Sequence, residues 1–146
     1  MTEYEALDLQ LQRWGLLNQS EEMLLLVLTL YLTIMFAYLV AAFFAGAKLS
    51  KGQVLIGSVI FTAASAFTVS QIISYLSEMH GQKVAIGQHY IAMASEFKKP
   101  AYLEMASDLS QTAFIDWSDA TIISLLVAGI VASLYFMWSV RHSKAE

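Results

Sequence analysis

The stretch that decides the fold is MLLLVLTLYLTIMFAYLVAAFFAGA, Met23 to Ala47, 25 residues without an Asp, Glu, Lys, Arg or His. A helix crosses the hydrocarbon layer of a bilayer with about 20 apolar residues, so this run is long enough to span. Two more runs follow. Val54 to Leu76 is free of charge for 23 residues and Ala120 to Val140 for 21. A soluble helix of such length carries a charged stripe, and these carry none. The expected fold is all-α and integral to a membrane. It has three transmembrane helices, an N-terminal interfacial helix and a short extracytoplasmic helical hairpin.

Composition agrees. The chain has 146 residues, 58 % of them hydrophobic and 14 % charged, where a soluble domain carries roughly 25 % charged residues. Its net charge of −4 is the wrong sign for phosphate contacts, so nucleic acid is not an expected partner. The absence of Cys excludes disulfides, thiol chemistry and zinc–thiolate sites. The length suits a single membrane domain. It divides into an outer amphipathic segment (1–22), span one (23–47), span two (54–76), an outer helical link (77–119), span three (120–140) and a cytoplasmic tail (141–146). Ala45-Gly46-Ala47 has the small-x-small pattern of a leader cleavage site. The length of the first run and the acidic segment before it argue against a cleaved leader.

Loop charges give an orientation. Residues 1–22 hold Glu3, Glu5, Asp8, Glu21 and Glu22 against Arg13, whereas the short link between spans one and two holds Lys48 and Lys51 and no acid. The tail holds Arg141 and Lys144 against Glu146. Basic short loops mark the cytoplasmic side. The chain is therefore expected in a plasma or inner membrane with its N-terminus and long link outside and its C-terminus inside.

The outer segments have helical patterning. Tyr4, Leu7, Leu11 and Trp14 share a face, which reads as a helix lying on the outer leaflet. Asn18 with Glu21 suits the start of span one. In the link, Ile86, Tyr90, Met93 and Phe97 form one stripe and Tyr102, Ala106, Leu109 and Ala113 a second, with Pro100 between them. Two short helices forming a hairpin over the outer mouth of the bundle are expected. Asp116-Trp117-Ser118-Asp119 then opens span three with an N-cap, helix-start acids and a belt Trp.

Helices in lipid associate through small residues, and each span has a track of them. Span one has Ala37, Ala41 and Ala45, with Ala42 and Gly46 as a second pair. Span two has Ser58, Thr62, Ala66, Ser70 and Ser74. Span three has Ser124, Ala128 and Ala132, with Gly129 and Ser133 beside them. These tracks serve packing within the chain or self-association. Ser58, Thr62 and Ser65 cluster on one face of span two with Gln71 further out. They read as interhelical glue bonded to Tyr31 or Tyr38, or alternatively as a pore face in an oligomeric channel.

No Asp, Glu, Lys, Arg or His lies inside a span, whereas proton-coupled carriers usually place an ionisable group there. There is no phosphate loop, serine elbow or zinc-protease motif, and no enzyme activity or cofactor is expected. His80 and His89, with Met93 and Glu96 nearby, are weak metal candidates whose spacing matches no motif. His80 before Gly81 suits a helix C-terminus. The expected function is that of a small non-catalytic membrane protein acting by helix–helix assembly, as accessory subunit or homo-oligomer. The expected partners are the lipid bilayer and either further copies or a larger membrane complex. The alternatives are a pore lined by span two and a metal or redox accessory using the outer link. Three spans, N-terminus out and C-terminus in, with a basic tail, resemble one class of phage holins in topology alone. The long outer link departs from that layout.

Overall fold

The computed structural model describes residues 2–45, 48–110 and 117–142. Over these it is all-helical, with four helices and no strand. They are α1 (Glu3–Ala45), α2 (Lys51–Phe97), α3 (Ala101–Ser110) and α4 (Trp117–His142). The helices α1, α2 and α4 are each long and apolar enough to cross a membrane. Only 11 %, 33 % and 17 % of their most apolar stretches are buried by the rest of the chain. Exposed apolar surface on this scale marks a membrane or protein interface. Gly46, Ala113, Asp116 and residues 143–146 fall outside the described residues.

Two helix starts carry reciprocal caps. The Thr2 hydroxyl accepts from Glu5 N at 3.3 Å while Thr2 N donates to Glu5 Oε2 at 2.7 Å. Ser50 and Gln53 repeat the arrangement at α2, at 3.3 and 2.9 Å. Each pair satisfies backbone donors that the first helical turn leaves without partners.

The polar segments differ from the expectation in two respects. There is no separate interfacial helix, because α1 runs unbroken through Asn18. Nor does α2 stop near His80; it continues through Gly81 to Phe97, so the first arm of the expected hairpin is the end of α2. A lone glycine such as Gly15 or Gly81 costs a helix only about 1 kcal/mol, and no proline occurs before Pro100. Packing of the two segments on each other outweighs the local stop signals. The turn into α3 does fall where Pro100 places it. Lys98 ends α2 in the left-handed conformation at φ 53°, a position that glycine usually fills.

The chain forms two compact units. The first comprises Met1–Leu25 and Ser74–Asp119. Here α1 and α2 run antiparallel: Arg13 Nη1 donates to Ala85 O at 3.3 Å, and Ser20 Oγ lies 3.5 Å from Glu78 Oε1. Ala6, Gln10, Leu17 and Ser20 are buried on α1, and Ile86 and Met93 on α2. The 4-3-4-3 rhythm of Ala6, Gln10, Arg13, Leu17 and Ser20 is that of a coiled-coil seam. The short α3 buries Ala106 and is tied to α1 by Lys99 and Tyr102, both of which donate to Glu3 Oε1.

The second unit comprises Leu26–Ile73 and Ala120–Glu146. Its core is Tyr38, Ala42, Val54, Phe61 and Met137. The rings of Tyr38 and Phe61 stack with centroids 3.9 Å apart and planes 14° from parallel. Stacked aromatic pairs contribute about 0.5–1.5 kcal/mol beyond their area.

Candidate functional site

The structure divides the small residues into two sets. One set packs the three helices of the second unit. Ala42, Ser58 and Ser133 are buried, and Gly129 lets α4 approach α1 closely. A Cβ on Gly129 would lie 3.1 Å from both Met35 Cε and Tyr31 Oη. The Tyr31 hydroxyl donates to the backbone carbonyl of Leu126 on α4. The other set is exposed: Ala37 and Ala41 on α1, Thr62, Ala66, Ser70 and Ser74 on α2, and Ser124, Ala128 and Ala132 on α4. Ala45 is half-buried. The spacing identified both sets without distinguishing them, since neighbouring faces of a helix differ by only one residue in sequence.

The hydroxyl cluster of span two divides in the same way. Ser58 Oγ and the Tyr38 hydroxyl are 3.0 Å apart inside the core, the glue arrangement. Ser65 is fully buried, and its hydroxyl has no partner among the described residues. Thr62 is exposed and folds its hydroxyl back onto Ser58 O at 2.8 Å. Gln71 is half-buried. The three hydroxyls thus do not share one open face, which the pore alternative required. Helical rotation separates Thr62 from Ser58 and Ser65 by enough to put the core boundary between them. A shallow groove of about 490 Å³ at this level is lined mainly by apolar groups, among them Leu55, Val59, Ala66, Leu134 and Trp138.

In the first unit His80 and His89 do not converge. They are nine residues apart on one helix, roughly 13 Å along its axis. His80 places Nδ1 2.9 Å from Leu76 O and Nε2 3.4 Å from Asp119 Oδ2. His89 places Nε2 3.2 Å from Ala6 O. Among the described residues no three His, Asp or Glu form a metal-binding group. Met93 is buried in the seam, where it packs. His80 is also not at a helix end. Both of its nitrogens face oxygen atoms, one of the backbone and one of the Asp119 side chain.

The stripe Tyr4-Leu7-Leu11-Trp14, expected to lie on the outer leaflet, is a different face from the one that packs within the chain. Tyr4 is 87 % and Leu11 70 % exposed, whereas Gln10 is only 2 % exposed. The packed face was hidden in the sequence because Gln10, Arg13 and Ser20 are polar. Its 4-3-4-3 spacing was the available signal, as were the pairs Thr2/Glu5 and Ser50/Gln53 for the caps. The stripes of the link do pack: Ile86, Met93 and Ala106 are buried, and Tyr90 stacks with Tyr102 at 6.1 Å. Trp14 Nε1 lies 3.5 Å from the Tyr90 hydroxyl.

Charge is concentrated at the Glu3 cluster. The hydrogen bond from Lys99, and then that from Tyr102, hold the Glu3 carboxyl below the usual carboxylate range. The same carboxylate raises Lys99 and Tyr102 above their ordinary values. This arrangement can hold a short helix in place; it offers no nucleophile–base pair. Comparison with protein-family models, with curated proteins and with solved structures finds no match.

Proposed function

We propose that the protein is a small integral membrane protein that works through helix–helix assembly, as a homo-oligomer or an accessory subunit, without chemistry of its own. The observation that supports this is the set of small residues left over once the three long helices have packed. Ala37 and Ala41, Ala66 and Ser70, and Ala128 and Ala132 remain exposed on three different helices. In lipid, small residues permit the close backbone approach through which helices associate. The orientation proposed from the loop charges places residues 1–22 and 77–119 outside and the Lys48/Lys51 link inside.

Ser70→Leu and Ala132→Leu test the assembly. Both sites are exposed, so each variant should keep its helical content while losing particle mass in mild detergent. If both retain the parent's mass and thermal stability, the tracks face lipid and the proposal fails. The stoichiometry of the intact particle, with whatever co-purifies, separates homo-oligomer from subunit. Orientation is tested with Gln88→Cys, which should label from outside cells, and Lys51→Cys, which should label only after permeabilisation. The opposite pattern reverses the topology.

A further inference from the structure

Along α1 one set of the residues left outside the core falls into a strict seven-residue repeat. Leu9, Leu16, Met23, Leu30, Ala37 and Phe44 recur at every seventh position, and all are exposed. The positions three residues after the first few are Gln12, Gln19 and Leu26, exposed as well. A sevenfold repeat on a helix presents one continuous seam to a partner helix, at the price of a slight left-handed supercoil. The core seam through Ala6, Gln10 and Leu17 is a different face, so α1 carries two seams and the chain fills one.

Charge tells which partner suits the open seam. Copies inserted the same way in a membrane bring their α1 helices together in parallel. Across a two-fold axis each seam residue then meets itself, and a charged residue there would face its own charge. From Leu9 to Phe44 the seam holds no charged residue, although residues 1–22 hold six. The competing stripe through Tyr4, Leu7, Leu11 and Trp14 runs into Glu21 at the same rhythm, and self-pairing there would oppose two carboxylates. A glutamine can both donate to and accept from its twin, and polar layers of this kind fix the register of coiled coils. Gln12 Nε2 donates to Asp8 at 3.1 Å on the surface, which leaves its carbonyl oxygen for a partner. In the seam itself, Leu9, Gln12 and Leu16 line, with Arg13, Gln82 and Ala85, a groove of about 330 Å³, large enough to receive a side chain from a neighbouring helix. Outward, the repeat ends at Glu5, whose carboxylate is held by Thr2 N.

We infer that this seam is where a second copy of the chain docks, α1 against α1, parallel and in register. The inference rests on the assembly proposed above and names its partner. The chain has no native cysteine, so single substitutions report directly. In native membranes under oxidation, Gln12→Cys and Gln19→Cys should give disulfide-linked dimers. The yield should exceed that of Leu11→Cys by about tenfold, because a disulfide needs Cα atoms within roughly 7 Å. Adding Leu16→Glu to Gln19→Cys should abolish the dimer while the circular dichroism spectrum stays unchanged. Linkage at Leu11→Cys with none at Gln12→Cys or Gln19→Cys overturns the docking face and leaves self-assembly intact. A multichain particle without linkage at any of the three also overturns it and favours unlike subunits. A single-chain particle without linkage overturns both this inference and the assembly on which it rests.

Discussion

Replacing Gly129 with leucine should separate α4 from α1, while the same change at the adjacent Ala128 should not. A Cβ at 129 would lie 3.1 Å from Met35 Cε and from Tyr31 Oη, a few tenths of an ångström inside ordinary contact. Met35 has a flexible end and can yield. Tyr31 cannot yield as easily, because its hydroxyl is bonded to Leu126 O on the same helix as Gly129. For Gly129→Ala, overpacking of about 1–3 kcal/mol is offset by about 1 kcal/mol of helix propensity. Gly129→Leu adds three further carbons to an occupied space and should cost about 3 kcal/mol, the upper end of that overpacking range. A chain of this size loses roughly 2–4 °C of melting temperature per kcal/mol. Gly129→Leu should therefore melt about 6–12 °C lower in mild detergent. Ala128 is exposed, and Ala128→Leu, compared with the parent and Gly129→Leu in detergent that holds every protein as a single chain, should stay within about 2 °C of the parent by the same scaling. Thermal unfolding followed by near-ultraviolet circular dichroism reads both. Equal melting temperatures for the two variants would refute the close approach of α1 and α4 at Gly129.

Three other outcomes are expected. Tyr38→Phe and Ser58→Ala, combined in a double-mutant cycle by steric trapping in bicelles, should couple by about 0.6 kcal/mol, the average for a hydrogen bond between membrane helices; zero coupling would mean that Ser58 bonds elsewhere. Lys98→Gly should stabilise the turn before α3 by about 1 kcal/mol, since a non-glycine residue in the left-handed region costs about 1–2 kcal/mol, and slower hydrogen exchange in residues 94–104 would register it. The docking of α3 should be sensitive to both extremes of pH. The contribution of the lowered Glu3 carboxyl is complete above the ordinary carboxylate range and is lost as pH falls through its depressed value. That of the raised Lys99 is complete below the ordinary lysine range and is lost as pH rises through its elevated value. Exchange of residues 101–110 should accelerate at both ends, and Glu3→Gln should remove the acid limb. An acid limb that persists in Glu3→Gln would place the sensitivity elsewhere.

Much of this molecule was legible in its sequence, because lipid imposes a one-dimensional rule. A run such as Met23–Ala47 cannot carry charge if it is to lie in hydrocarbon, and that restriction shows without any knowledge of packing. The helical class, the three long apolar helices and the turn at Pro100 follow from it and from proline's geometry. The ends of helices are decided otherwise. Asn18 carries a local start signal and His80-Gly81 a local stop signal, yet α1 and α2 run through them. Those signals amount to about 1 kcal/mol, and two long segments packed along a shared seam outweigh them. Tertiary structure alone also decided which small residues are used. Gly129 lies under Tyr31, whereas Ala128 beside it is exposed. Neighbouring faces of a membrane helix are equally apolar, and only the position of the other helices distinguishes them. The same holds for Gln10, buried at a polar position, and for His80 and His89, weak metal candidates by residue type whose separation along one helix keeps them from converging.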